Sequence, residues 1–257
     1  MEFSHVVEKA RRPLAITEDT VVLDVRSAFD FGLGHVRNAV ALPAIGGSAL
    51  PRDPEKAAKR LALLGLRPNT PVVILGSGER GSGEEGRLGW DLLRLGFTDV
   101  QVADVQSFRS LWTTRPSAHP ENVQAWQPAP HRQMELSVRE CAHIAVHPKE
   151  WQDKRVWLVD VRAPSEHLRN AAINLEWQDF YNSEGRPDAG VRSKLKALNL
   201  KPEDRLVLIS AKGVLSAAAA YSLVALGYEQ VQACAAGWDE ILQAAARESD
   251  LLRATKK

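Results

Sequence analysis

The sequence predicts an α/β protein with two tandem domains, each built on a mostly parallel sheet flanked by helices. Its 257 residues are too many for one typical small domain and suit two domains of about 120 residues each. Part of the sequence of the first half is repeated in the second half. In both halves, short runs of valine, leucine and isoleucine alternate with helical patterns, which is typical of parallel strands buried on both faces.

The internal repeat defines the predicted domains. Leu-Asp-Val-Arg at residues 23–26 returns as Val-Asp-Val-Arg at residues 159–162, and Leu-Gly-Phe at residues 95–97 returns as Leu-Gly-Tyr at residues 226–228. The order of the segments is kept while the loops differ in length, as in duplicated domains, whereas solenoid repeats are much shorter. We predict a first domain over residues 1–115, a proline-rich linker over 116–135 and a second domain over 136–257.

Short apolar runs predict three strands in each copy. The predicted strands are residues 21–25, 72–75 and 100–103 in the first copy and residues 156–161, 206–209 and 231–233 in the second. Helical patterns cover residues 54–64, 87–95, 191–198 and 216–226. Ser137 and Glu140 have the spacing of a capping box, and they predict a further helix that stops at Pro148.

Composition excludes several classes of function. The 33 Lys and Arg residues nearly balance the 32 Asp and Glu residues, for a net charge of +1, so we expect no nucleic-acid or membrane partner. The two cysteines, Cys141 and Cys234, are too few for a disulfide framework or a four-thiolate metal site. The first residues lack the apolar core of a signal peptide, and we expect a cytoplasmic protein.

Three motifs occur in the order in which a known family has them. The strand end Asp-Val-Arg occurs in both copies. Gly-His-Val-Arg-Asn-Ala at residues 34–39, followed by Pro43, is similar to Gly-His-Ile-x-Gly-Ala with a later proline. Ser-Ala-Lys-Gly-Val-Leu at residues 210–215, followed by Gly237 and Trp238, is similar to the loop Cys-Arg-Lys-Gly-Val-Thr with a later Gly-Gly-Trp. On these motifs the chain resembles the tandem rhodanese (thiosulfate or 3-mercaptopyruvate sulfurtransferase) family over nearly its whole length.

The resemblance implies a loop that turns its backbone N–H groups towards a nucleophilic cysteine at the start of a helix. There, the N–H groups stabilise the thiolate and its persulfide. The position of that cysteine is Ser210 in the second copy and Gly76 in the first. Serine cannot carry a persulfide and glycine has no side chain, so the sequence names no catalytic nucleophile.

We therefore expect a catalytically silent protein that acts as a binding or regulatory module. The expected partner is a small anion, a persulfidated protein or another protein, and no cofactor or metal is implied. The alternative is a sulfurtransferase that takes thiosulfate or 3-mercaptopyruvate as donor and uses another thiol, such as Cys234 or a partner's cysteine. The predicted binding residues are Ser210, Ala211, Lys212, Gly213, Val214 and Leu215, together with Arg162.

Four other features have simpler structural interpretations. Residues 76–81, Gly-Ser-Gly-Glu-Arg-Gly, match a dinucleotide-binding pattern, but nearby acidic residues would repel a pyrophosphate, so a flexible structural loop is predicted. Ser210 lacks a recognisable general base that would make it a nucleophile in its own right. His143 and His147 share a helix face that Cys141 does not, so no metal site is predicted. The two Asp-Arg pairs predict hydrogen bonds that tie strand ends to loops, and Cys234 is expected to pack as a small hydrophobic residue.

Overall fold

The computed structural model describes residues 3–116, 123–167 and 172–254. Each half of the chain forms a parallel sheet with helices packed against it. The first half contains α1 (Ser4–Ala10), β1 (Val21–Asp24), α2 (Ala28–Leu33), β2 (His35–Val36), β3 (Val40–Ala41), α3 (Pro54–Leu63), β4 (Val72–Gly76), α4 (Glu84–Arg94), β5 (Val100–Asp104) and β6 (Trp112–Thr113). The second half contains β7 (Glu135–Leu136), α5 (Val138–Val146), α6 (Pro148–Asp153), β8 (Val156–Asp160), β9 (Ile173–Asn174), α7 (Val191–Ala197), β10 (Arg205–Ile209), α8 (Val214–Ala225), β11 (Val231–Cys234) and α9 (Trp238–Ala254).

The two sheets have the same arrangement of strands. The first has the order β3-β1-β4-β5, and the second has the order β9-β8-β10-β11 with β7 added at one edge. All of these pairings are parallel. The predicted fold class, with two mostly parallel sheets flanked by helices, is confirmed. Every predicted strand and helix is present, and the observed ends lie within three residues of the predicted ones.

Local signals account for where the helices begin. Asp53 caps α3 by accepting a hydrogen bond from the Lys56 N–H at 2.8 Å, and Pro54 occupies the first helical position. Ser137 and Glu140 form the predicted capping box at α5, in which each side chain accepts a hydrogen bond from the backbone N–H of the other residue. These caps satisfy backbone groups that a helix end leaves unpaired.

The second half of the predicted linker packs against the first domain. The indole N–H of Trp126 donates to the Leu66 carbonyl at 2.9 Å, and its ring meets Phe97 edge-on. Residues 117–122 lie outside the described part of the chain, and the domain limits stay a prediction. No described helix is long and apolar enough to cross a membrane.

Helices α4 and α8 form the contact between the two halves. Gly86 and Gly89 of α4 lie so close to α8 that an added Cβ would come within 2.8 Å of Ala218 Cβ at the first position and of Tyr221 Cδ2 at the second. The Tyr221 hydroxyl reaches across and donates to the Val100 carbonyl at 2.9 Å. Small residues on both helices therefore allow one hydrophobic core to extend through both halves.

Strand register places the two candidate loops at equivalent points. Asp24 of β1 pairs with Leu75 of β4, and Asp160 of β8 pairs with Ile209 of β10. Gly76 and Ser210, the residues that follow Leu75 and Ile209, thus lie at the carboxyl ends of corresponding central strands. This is the edge at which ligands bind in open α/β sheets.

Candidate functional site

The hydroxyl of Ser210 lies at the centre of the second-domain loop. Its Oγ accepts hydrogen bonds from the N–H of Gly213 at 3.1 Å and from the N–H of Ser216 at 3.2 Å. It also donates to the Ser216 hydroxyl at 3.1 Å. The loop therefore has the inward-turned N–H groups that the family resemblance implies, and the side chain at position 210 receives them. We call residues 210–216 the cradle.

Two glycines give the cradle its shape. Gly213 has a φ of 76°, which few other residues adopt, and an added Cβ would lie 3.1 Å from the Ala235 carbonyl oxygen. An added Cβ on Gly237 would lie 2.2 Å from the Ala211 carbonyl oxygen. The segment that follows β11 is therefore packed directly against the cradle, and the N–H of Trp238 donates to the Ser210 carbonyl at 3.0 Å.

Helix α8 begins earlier than the sequence pattern predicts, at Val214 rather than at Ser216. Ser216 could cap a helix that begins with it, but α8 begins at Val214, and Ser216 is in its first turn. The side chain that accepts the N–H of Ser216 is that of Ser210. Ser210 thus takes the place that a capping oxygen, or a sulfur anion, would have at this helix end.

The predicted binding residues divide into a buried floor and an exposed rim. Ser210 is fully buried, at 0% exposure, and Gly213 is also buried. Ala211 and Lys212 are exposed, while Val214 and Leu215 are partly buried. A ligand could meet the Lys212 ammonium group directly, whereas the Ser210 hydroxyl would become accessible only if the loop opened.

The corresponding space in the first domain is filled by a different residue. An added Cβ on Gly76 would lie 2.2 Å from Oε2 of Glu85, on the first turn of α4. Glu85 is 2% exposed, and its Oε2 has no hydrogen-bond partner in the part of the chain that the structure describes. Burial, opposed by backbone hydrogen bonds and assisted by the charges of Glu84 and Asp104, raises the pKa of Glu85 to about 8. The first-domain site is therefore closed by a carboxyl group that is mostly neutral at pH 7.

Sequence reasoning does not predict this closure, although the repeat contains a signal for it. Leu95 and Leu226 are repeated residues that follow the two helices. Glu85 precedes Leu95 by the same number of residues as Ser216 precedes Leu226, so the two residues hold equivalent positions in α4 and α8. Each faces the residue at the strand end, so one copy pairs glycine with glutamate and the other pairs serine with serine.

The two Asp-Arg pairs have the predicted structural role. Arg26 donates to both carboxylate oxygens of Asp24 and, at 2.8 Å, to the Gly34 carbonyl. Arg162 donates to Asp160 at 2.9 and 2.7 Å, and its guanidinium lies 5.1 Å from the centre of the Trp238 ring. Arg162 is thus engaged within the protein, and its predicted role in binding stays a prediction.

A histidine completes the cluster in the second domain. His167 Nδ1 lies 2.9 Å from Oδ2 of Asp160, the carboxylate that also holds Arg162. Burial alone would raise the pKa of Asp160, but hydrogen bonds from Arg162 and His167 outweigh it and lower the pKa below its ordinary value. Residues 168–171, which follow His167, lie outside the described part of the chain.

Cys141 and Cys234 form a disulfide, which corrects the sequence interpretation. Their Cα atoms lie 6.2 Å apart, and both side chains are buried. Strand β7 pairs beside β11 and brings Leu136 next to Cys234, so that α5 carries Cys141 over it. The expectation that Cys234 is an ordinary small hydrophobic residue is wrong. The thiol named as an alternative nucleophile is not free in this structure.

The dinucleotide-binding pattern and the histidine pair gain no support from the structure. The segment from Gly76 to Gly81 does connect a strand and a helix, but the Glu85 carboxyl occupies the space beside Gly76. The His143 and His147 rings lie 4.8 Å apart, while Cys141 is in the disulfide. No group of three or more metal-ligand side chains converges among the residues that the structure describes.

Comparison with known proteins identifies the family. The Rhodanese-like domain family matches the chain twice, over residues 7–105 and 146–244. SseA from Escherichia coli, described as a 3-mercaptopyruvate sulfotransferase with the rhodanese fold, superposes with a TM-score of 0.67 and 16% identity over 86% of this chain and 93% of that chain. A search of the curated proteins finds no match.

EanB is a second similar structure. Its wild-type form has a TM-score of 0.73 and 18% identity over 90% of this chain. Its ergothioneine complex has a TM-score of 0.71 at the same identity. This chain spans 63–64% of the EanB chain, less than two thirds of its length. At such identities the likeness shows the fold. With both copies matched, the chain belongs to the rhodanese-like domain family and has two such domains in tandem.

Proposed function

We propose that this chain is a catalytically silent rhodanese-like protein that acts as a binding or regulatory module. One observation carries the proposal: the group that receives the N–H donors of the cradle is the hydroxyl of Ser210. A sulfurtransferase of this family holds the transferred sulfur on a thiol at that point. A hydroxyl is far less acidic than a thiol and cannot hold a sulfane sulfur.

Two further observations argue against another catalytic thiol in the chain. The first-domain position is Gly76, and the space above it is filled by Glu85. Both cysteines are used in the disulfide, and Cys234 is 1% exposed. A sulfurtransferase that works through Cys234 would therefore need a reducing partner and an opened second domain. A sulfurtransferase that uses a partner's cysteine needs neither.

The rim of the cradle supports binding of an anion or of a negatively charged protein surface. Lys212 is exposed beside the buried N–H donors, and the 12-residue helix α8 begins two residues later. Its positive end and the ammonium group both favour a negative partner. A persulfidated protein is one such partner, because a persulfide is ionised at neutral pH and matches the family's chemistry.

A sulfur-transfer assay tests the silence of the chain. The purified protein is given thiosulfate and cyanide, or 3-mercaptopyruvate and a thiol acceptor, with the disulfide intact and again after reduction. We expect product at the background rate in all four cases. Turnover in the reduced protein that is lost in Cys234→Ala but kept in Ser210→Ala would overturn the proposal in favour of a sulfurtransferase that uses Cys234.

A binding measurement tests the second part of the proposal. Calorimetry with thiosulfate as the probe is expected to show weak binding that Lys212→Ala abolishes. Lys196→Ala, which removes another exposed lysine on α7, is the matched control and should bind normally. Equal binding by both variants would place any anion site away from the cradle.

The cytoplasmic location stays a prediction. The disulfide is the observation that bears against it, because such bonds are rare in reducing compartments.

A further inference from the structure

The cradle of the second domain is covered by elements of the first domain. An added Cβ on Gly47, in the turn after β3, would lie 2.5 Å from Val214 Cγ2. At Gly83, just before α4, an added Cβ would lie 3.4 Å from Leu215 Cδ2 and 3.1 Å from Ala218 Cβ. These contacts hold Val214, Leu215 and Ala218 against the first domain. The cradle can therefore open on this side only if the first domain releases them.

One polar contact joins α4 directly to the cradle. Arg87 Nη1 donates to the Gly213 carbonyl at 3.1 Å, while Arg87 Nε donates to Asp91 at 2.9 Å. Arg87 is 7% exposed, so the contact is shielded from water. Gly213 is thereby held from both sides, because its N–H is bonded to Ser210 Oγ and its carbonyl to Arg87.

The buried carboxyl of Glu85 lies on the same turn of α4. Among the described residues, the charged groups that act on it are both acidic: Glu84 precedes it on the helix, and Asp104 at the end of β5 is paired with Arg80 at 3.1 Å. From the second domain, the Tyr181 phenol lies nearby, and its hydroxyl donates to the Ala218 carbonyl at 2.6 Å. Burial in this space costs a neutral Glu85 less than it costs a carboxylate, whose charge would lose its hydration and whose Oε2 would have no donor among the described residues.

We propose that the first turn of α4 is a latch on the cradle, closed while Glu85 is neutral and released when Glu85 gives its proton to water. An ionised Glu85 must reach solvent, and the glycines at positions 78, 81 and 83 allow the segment before α4 to move. That movement carries Gly83 and Gly86 off Ala218 and withdraws Arg87 from Gly213. The latch gives the regulatory role proposed above a mechanism. Its test measures access to residue 210 rather than binding or turnover, so either proposal can fail without the other.

The reporter is a thiol placed in the cradle by Ser210→Cys in the full-length chain. Its alkylation by iodoacetamide is followed from pH 7 to pH 9 and divided by the thiolate fraction, which ultraviolet absorbance gives separately. The pKa of Glu85 is about 8. We therefore expect the normalised rate to rise roughly tenfold, because such a group goes from about one tenth to about nine tenths ionised over this range. Tyr181 stays protonated, since burial raises its pKa well above the ordinary value.

Three further substitutions in the reporter background separate the latch from general loosening. Glu85→Gln cannot ionise and should keep the rate low at both pH values. Glu84→Gln removes an acid one residue away and should keep the rise, with its midpoint moved to lower pH because the charge of Glu84 raises the pKa of Glu85. Arg87→Gln should label fast at both pH values. A flat parent profile, a rise that persists in Glu85→Gln, or slow labelling of Arg87→Gln would each overturn the proposal.

A measurement on the unaltered chain keeps the test independent of the variants. Hydrogen exchange of residues 211–216, corrected for intrinsic rates, should accelerate between pH 7 and pH 9. Exchange in β4 and β10 should not change. Acceleration in the strands as well would mean that the domain unfolds rather than unlatches, and no acceleration in the cradle would contradict the latch.

Discussion

The two copies of the domain solve the same packing problem with different side chains. At the end of the central strand and at the facing position of the following helix, the first copy has Gly76 and Glu85, and the second has Ser210 and Ser216. The total volume is similar, since a long side chain faces none in one copy and two short side chains meet in the other. In both copies, the place of the family's sulfur nucleophile is thus still present in the fold, and side chains of the same domain fill it.

The copies also differ in how the surroundings are tied together. The first relies on packing and on the Asp24–Arg26 pair. The second adds His167 to the equivalent pair and links α5 to β11 through the disulfide. Both copies therefore have ionic pairs at their strand ends, and the second copy adds a covalent bond, although neither copy has a thiol at the position of the family's nucleophile.

The largest expected effect is that of the disulfide, which only the second copy has. The sequence separation of its cysteines is 93 residues. A crosslink of this loop length stabilises a folded domain by about 4 kcal/mol, chiefly by restricting the unfolded chain. The double variant Cys141→Ala, Cys234→Ala should lose that amount, as measured by urea unfolding. Reduction of the unaltered chain is the matched control and should have the same effect.

Hydrogen exchange should show which domain loses stability when the disulfide is removed. Strands β8 and β10 should exchange faster in the double variant, and β1 and β4 much less. Equal acceleration in both sheets would mean that the shared core makes the halves a single cooperative unit.

Sequence patterns are sufficient to predict the fold, but they do not predict which side chains fill the two candidate sites. Continuous apolar runs, such as that of β10, indicate buried strands by themselves, so the six predicted strands could be found from the sequence. Strands of two residues, such as β7, have no period to detect. The disulfide escapes prediction because it depends on β7 lying beside β11. Glu85 looks like a solvated charge in the sequence, since nothing local shows that Gly76 leaves room for it.

The cluster of Asp160, Arg162 and His167 in the second copy is expected to have the next largest effect. Asp160→Asn removes the charge that holds both Arg162 and His167 and leaves a buried guanidinium without its counterion. We expect a cost of about 3 kcal/mol at pH 7. Asp24→Asn is the matched change in the first copy, where no histidine takes part.

The pH dependence of the same cluster follows from the lowered pKa of Asp160. A carboxyl whose pKa is lower in the folded state stabilises the fold above its unfolded pKa, near 3.8. That stability is lost as the pH falls through the folded pKa. Unfolding of the parent between pH 5 and pH 2 should therefore be steeper than that of Asp160→Asn. Parallel curves would contradict the assignment.

A swap of the facing pairs tests the packing comparison directly. Gly76→Ser should destabilise the first domain by about 2 kcal/mol, because its Cβ meets Glu85 Oε2. Adding Glu85→Ser reproduces the pair of the second copy and should recover most of the loss. A double-mutant cycle on urea unfolding gives the coupling between the two positions. If the two costs simply add, the positions do not share one space.

The smallest effect concerns the cradle without its sulfur. The N–H groups of Gly213 and Ser216 point at position 210 whatever atom is there, and α8 starts beside it. Ser210→Cys should therefore have a thiol pKa of about 7, below the ordinary value near 8.5. The thiolate absorbance measures this without requiring a reagent to enter. Ser222→Cys, at a buried position within the same helix that has no such donors, is the control and should have a raised pKa.

Ala211→Arg added to Ser210→Cys should promote capture of sulfur from thiosulfate, seen as a mass gain of one sulfur atom. An ordinary thiol pKa and no mass gain, even with Leu215→Thr to widen the rim, would show that the cradle has lost the electrostatic character of its family along with the cysteine.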